Sequence, residues 1–236
     1  MKIPILSYHS ISDDNCPLSL KINEFEKQLI YLKNNKYETI YFDEINPNKK
    51  KQIIITFDDG YKDLILNSLP LLKKYNFKAI CFIVSDLIGK TNKWDEDDVK
   101  VAKKKLMSTS EIKLWIKNGM KIGSHSKNHR KLTIIKKDEM TQEISNSKFD
   151  LESLTKTKID VFCYPYGIYD KKVIDEVKKN YKFALTTIRS RYDEKKHTKY
   201  LIPRIDMGKP YSKLKLYLKL ETIYEDIKYN DFQICL

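Results

Sequence analysis

Short apolar runs rich in β-branched residues alternate with amphipathic helical stretches along most of the chain, which is the pattern of βα units around a parallel sheet or barrel. Runs at 3–8, 38–42, 52–57, 78–84, 120–123, 159–163 and 183–187 predict strands. Stretches at 23–34, 62–75, 108–118, 137–155, 170–180 and 211–227 predict helices. In the first of these Phe25, Leu29 and Leu32 share one face, and in the second Pro70 predicts a kink or an early end. Ser108 with Glu111 three residues on has the form of a capping box, and Gly119 closes that helix. The run at 52–57, with Ile53, Ile54, Ile55 and Phe57 apolar, is the clearest buried strand. The polar segment 85–107 reads as a long loop or insertion, and long loops in compact domains are often functional. No Pro/Gly/Ser-rich linker breaks the 236 residues, so one α/β domain spanning 1–236 is expected.

Charge and cysteine usage exclude several function classes. The 45 Lys and Arg against 32 Asp and Glu are mostly lysines scattered in short clusters, which is how a solvated surface looks. A nucleic-acid footprint would gather arginine and aromatic readers on one face, so no nucleic-acid partner is expected. Attraction to an anionic glycan or peripheral contact with a membrane surface is compatible with the charge. Cysteines at 16, 81, 163 and 235 form no CxxC pair and two lie inside apolar runs, the pattern of reduced, buried thiols. No run is long and apolar enough to span a bilayer, and MKIPILSYHSI is too short and too interrupted for a secretory signal. The chain as it stands is therefore expected to be cytoplasmic, or at the cell surface if a signal segment precedes it. Oligomeric state is not legible.

Four constellations fall at predicted strand ends, the edge where α/β enzymes keep their sites. IIITF runs into Asp58-Asp59-Gly60. Vicinal acids there must point apart, which suits one to bind a metal and the other to handle a proton, although an Asx turn would also use them. After MKIG come His125 and His129. If helical, they would share one face one turn apart, and two imidazoles with one carboxylate suit a catalytic Zn²⁺ or similar ion. Only four histidines occur in the chain, so finding two here carries weight. CYPYG encloses Tyr166 in a rigid turn able to present a backbone N–H to an oxyanion, though plain loop punctuation explains it equally well. His9, in Tyr8-His9-Ser10, is a candidate acid by placement only.

TFDDGY, GSHSKNH and CYPYG, in this order and spacing, resemble the signature motifs of the polysaccharide deacetylases, the NodB-homology or carbohydrate esterase four family. The resemblance covers roughly residues 1–205, and ILSYHSI resembles the branch acting on poly-N-acetylglucosamine. It implies a distorted (β/α) barrel of about seven strands and one divalent ion, Zn²⁺ with Co²⁺ or Ni²⁺ as alternatives. It also implies Asp58 as general base, Asp59, His125 and His129 as ligands, a Tyr166 backbone N–H at the oxyanion, and His9 as acid. The expected activity is hydrolysis of an N-acetyl or similar acyl group from an amino-sugar glycan.

Three departures stand out. Cys163 occupies a position where many members carry an arginine, and Arg204 is the expected substitute, aimed at Asp58. No LxH segment supplies the usual acid, His197 being misplaced for it, and no signal peptide is seen. Two rival readings remain open at this point. One is a glycan-binding barrel without catalysis; the other is a phosphotransfer hydrolase, which would want Asp-x-Asp and has no use for HxxxH.

Overall fold

In a computed structural model, which describes residues 2–96, 98 and 100–228, seven parallel strands close into a barrel. They are β1 (Ile5–Tyr8), β2 (Gln52–Phe57), β3 (Ile80–Ile83), β4 (Lys121–Ser124), β5 (Val161–Cys163), β6 (Phe183–Arg189) and β7 (Ile202–Asp206). Each strand pairs with its sequence neighbours, and β1 closes the ring on both β7 and β2, the latter in register from Ile5↔Ile54 to Tyr8↔Phe57. The outer helices are α1 (Ile22–Asn34), α2 (Leu69–Tyr75), α3 (Thr109–Lys117), α4 (Lys137–Thr155), α5 (Lys171–Asn180), α6 (Lys213–Glu221) and α7 (Tyr224–Lys228).

All six residues of β2 are buried because both of its faces are covered. Ile54 packs with Ile5, Ile80, Phe82, Cys163, Leu185 and Ile202 in the cluster that fills the barrel, whereas Ile53, Ile55 and Phe57 belong to the larger cluster under the helices. The two-residue period of the strand therefore carries Ile54, Thr56 and Asp58 along the inner face up to the C-terminal rim.

Most of the expected elements are present, and the exceptions have local causes. Residues 38–42 form only Glu38–Thr39 as a strand, then turn so that Phe42 stacks on Phe183, with ring centroids 5.1 Å apart. The helix expected at 62–75 opens with wide turns at Leu64–Ser68 before α2, where Pro70 lacks the N–H that regular turns require. Pro4 splits the first strand: Lys2–Ile3 turns aside to pair antiparallel with Tyr192–Asp193. β7 had no counterpart among the predicted strands, since Pro203 and Arg204 interrupt its apolar pattern. Its register with β6 shifts between Leu185 and Arg189. Cys16, Cys81 and Cys163 are buried free thiols, and Cys235 lies outside the described residues. No helix among the described residues is long and apolar enough to cross a membrane.

Candidate active site

The end of β2 sends its two carboxylates in different directions. Asp58 continues the ladder, its N–H donating to Tyr8 O at 2.9 Å, and its side chain stays on the inner face. Asp59 then turns into the left-handed region at φ 71°, which Asp tolerates better than most residues, and Gly60 follows at φ 76°. Both carboxylates are buried.

His125 and His129 do not lie on a helix, which corrects the geometry under which the HxxxH spacing was read. β4 ends at Ser124, His125 N–H still donates to Ile83 O, and the chain then curls through Ser126 (φ 62°) to His129 (φ 59°). Ser126 Oγ accepts the His129 N–H at 3.0 Å and closes the turn. The spacing thus serves a tight loop rather than a helical turn, yet it brings both rings to Asp59. The Nε2 atoms of His125 and His129 stand 3.4 Å and 3.5 Å from Asp59 Oδ1.

Those distances fit a cation. Ligands bound tetrahedrally at about 2.0–2.1 Å lie about 3.3–3.4 Å apart along each edge. The three ligand atoms fall within 4.8 Å of one another. His125 Nδ1 lies 2.7 Å from Cys163 O, an acceptor only, so Nδ1 carries a proton and Nε2 is the atom turned to Asp59, the one that would bind a cation. Burial, aided by the neighbouring His125, pushes His129 down to about 3, which leaves it neutral and able to ligate. Burial alone would raise Asp59, but the hydrogen bond from His125, with the nearby imidazoles, holds it below the usual carboxylate range. Asp58, His125 and Cys163 also converge. That set is a poorer holder, because both Asp58 oxygens are engaged elsewhere and burial pushes the Cys163 thiol up.

Arg204 reaches Asp58 from β7. Nη1 donates to Oδ1 and Nη2 to Oδ2, both at 2.7 Å, while Nε donates to Thr186 O at 3.0 Å. Nη2 also lies 3.2 Å from the sulfur of Cys163, so the guanidinium reaches the region of Cys163 from another strand. Burial acts to raise the Asp58 carboxyl, but the Arg204 charge overrides it and holds the group well below its ordinary range.

His9, half-buried just beyond β1, has Nε2 3.9 Å from Asp58 Oδ2. It lines a cavity of about 290 Å³ shared with Asp58, Arg204 and Lys209. A second, more open cavity of about 560 Å³ lies on the other side, against His129, Trp94 and Tyr166. Tyr166 is 40% exposed and sits at φ 59° in the turn after β5. Gly167 follows at φ 69°, and a Cβ there would lie 2.0 Å from Thr187 Oγ1. Gly167→Ala is therefore expected to cost about 1–3 kcal/mol and to displace the Tyr166 turn; a thermal melt checks the cost. His197 stays outside the site, its Nδ1 accepting from Asp193 N–H near the strand that pairs with Lys2–Ile3.

The contribution of segment 85–107 was not readable from sequence. It places Trp94 on His129, with centroids 4.4 Å apart and planes at 28°. It is fastened by Lys104, whose Nζ meets Asp14 at 2.7 Å, Asp63 at 2.9 Å and Ser19 at 3.0 Å. The one available signal was a tryptophan, one of two in the chain, inside a polar loop.

By fold and site the chain is a closed parallel (β/α) barrel with an Asp–His–His cluster able to hold a cation beside an arginine-held aspartate at the C-terminal rim. The Polysaccharide deacetylase family model matches residues 45–183, and the chain belongs to that family. It is 30% identical over 194 residues to the polysaccharide deacetylase relative YxkH of Bacillus subtilis (strain 168), covering 79% of this chain and 64% of that protein. It is 29% identical over 204 residues to the poly-beta-1,6-N-acetyl-D-glucosamine N-deacetylase of Staphylococcus aureus (strain MRSA252), covering 79% of this chain and 67% of that one. The chain thus spans about two thirds of the length of these relatives. A crystal structure of a polysaccharide deacetylase from Bacillus cereus superposes with a TM-score of 0.79 at 29% identity, over 93% of this chain and 69% of that one.

Proposed function

We propose that the chain is a metal-dependent carbohydrate de-N-acetylase, removing an acetyl or similar small acyl group from an amino sugar in a glycan. The observation that carries this reading is the convergence of Asp59, His125 and His129 beside Asp58, itself clamped by Arg204. The Staphylococcus aureus relative supports a glucosamine polymer as the substrate class. Two imidazoles and a carboxylate favour Zn²⁺, with Co²⁺ or Ni²⁺ as substitutes. We read residues 1–236 as one catalytic domain.

A cation held by those three ligands supplies Lewis acidity, polarising an acyl oxygen and acidifying water. Asp58 accepts the proton of the attacking water. Arg204 keeps it ionised and aimed. The Tyr166 backbone N–H donates to the developing oxyanion. His9, on the wall of the smaller cavity, passes a proton to the leaving nitrogen, so acetate and a free amine result. Arg204 also weighs against a binding barrel without catalysis, because such a protein has no need of a buried, aligned base.

The test is mass-spectrometric: the chain with Zn²⁺, Co²⁺ or Ni²⁺ and N-acetylglucosamine oligomers is expected to show loss of acetyl mass, abolished by a chelator and restored by the metal. Metal uptake without loss of any acyl group across acetylated and formylated amino sugars would overturn the reading.

A further inference from the structure

A histidine that ligates a metal usually donates its second ring N–H to a carbonyl or carboxylate, which fixes both tautomer and ring plane. His125 follows that rule through Cys163 O at 2.7 Å. His129 does not: its Nδ1 is buried and makes no hydrogen bond among the described residues. Rings hold it instead. Trp94 lies flat on one side, and Tyr166 meets it edge-on with centroids 4.5 Å apart and planes at 67°.

Of the two, Trp94 is the better anchored. Tyr166 stands on an exposed turn, whereas Trp94 is partly buried against the main core and belongs to the Lys93–Asp95 turn of a segment tied down twice over. The Asn92 side chain bridges that segment, donating to Ala102 O at 3.2 Å and accepting from Lys104 N–H at 2.6 Å. Lys104 then fastens it to Asp14 and Asp63. The backbone that carries the indole is thereby held by contacts that involve neither Asp59 nor His125.

We propose that Trp94 is a positioning residue for the cation site, its stacked indole orienting His129 in place of the missing hydrogen-bond partner. The proposal rests on Asp59, His125 and His129 being the ligands, as in the function proposed above. It places one determinant of metal affinity in the 85–107 segment, away from the two strand ends that carry the ligands. A tryptophan that only lined the sugar groove would act on substrate affinity and leave metal affinity alone.

The experiment uses the full chain, stripped of metal and titrated with Zn²⁺ against a chromophoric chelator. Trp94→Ala is expected to weaken Zn²⁺ binding by about tenfold or more, the size of effect seen when a ligand's supporting partner is lost. Trp94→Phe, which keeps a ring to stack, should stay within about threefold of wild type. At saturating Zn²⁺ the KM of Trp94→Phe for the oligosaccharide should be unchanged. Wild-type Zn²⁺ affinity in Trp94→Ala overturns the proposal, whatever happens to KM. Should Trp94→Ala fail to fold, the wild-type chain still decides: the Trp94 indole N–H resonance must move on Zn²⁺ addition, while that of Trp115, bonded to Lys121 O on β4, stays in place. An unmoved Trp94 signal overturns it. Absence of Zn²⁺ uptake by the wild type would instead sink the proposed function, a separate and distinguishable result.

Discussion

Asp58→Asn is expected to keep its metal and lose turnover by about 10²- to 10⁴-fold, the usual contribution of a positioned proton acceptor. The amide is close to isosteric but has no site basic enough to take a proton from water. Metal content should survive, because Asp58 is not one of Asp59, His125 and His129 and both of its oxygens are engaged by Arg204. Asp59→Asn supplies the contrast: its carboxylate faces both His125 and His129, so metal and turnover should disappear together. Metal analysis of the two variants beside initial rates separates the roles. Full activity in Asp58→Asn would show the base to be elsewhere.

Arg204→Met is expected to be the most damaging single change to stability, costing about 3–5 kcal/mol because it leaves a buried carboxylate without its counter-charge. Arg204 and Asp58 are both almost wholly buried, so solvent cannot take over the lost interaction. The pH dependence has a definite sign. In the wild type Asp58 is held below its unfolded value, so its pairing contributes fully above about pH 4, the ordinary carboxyl range, and is lost as pH falls through the depressed folded value. The gap between the melting temperatures of wild type and Arg204→Met should therefore be full at neutral pH and narrow only in strongly acidic solution. In the variant the Asp58 carboxyl rises, since burial then acts with less opposition, and any acid limb of its residual activity moves to higher pH. Thermal melts and rate profiles across pH measure both effects. A gap independent of pH down to the acid limit would mean that Arg204 acts through packing alone.

Legibility in the sequence followed chemistry that is local in the chain. Gln52–Phe57 was read at its observed bounds because a strand covered on both faces keeps a near-continuous apolar run, here Ile53, Ile54, Ile55 and Phe57, and Lys137–Thr155 because its helical run is long. The strand-end acids, the two histidines and the Tyr166 turn were visible as residue types that mark the rim of an α/β fold. β7 was not, since a proline and an arginine inside a strand look like a break until the barrel closes around them. The helical reading of HxxxH failed for a related reason: spacing by itself does not distinguish a helical turn from a tight loop through left-handed Ser126 and His129.

The alternation of apolar runs was enough to specify βα units around a parallel sheet or barrel, the resemblance of the motifs selected the barrel, and Asp58, Asp59, His125 and His129 marked one rim for metal chemistry, because periodicity and residue type are properties of neighbouring positions. Which partner each group would meet was not written there. Arg204 lies 146 positions from the carboxylate that it clamps, Cys163 O lies 38 positions from the ring that it orients, and Trp94 reaches His129 from a segment whose own pattern says only loop. Such pairings arise when the ring of strands closes, since closure alone sets which side chains share the interior, and in a buried interior each charge and each lone pair must find its match.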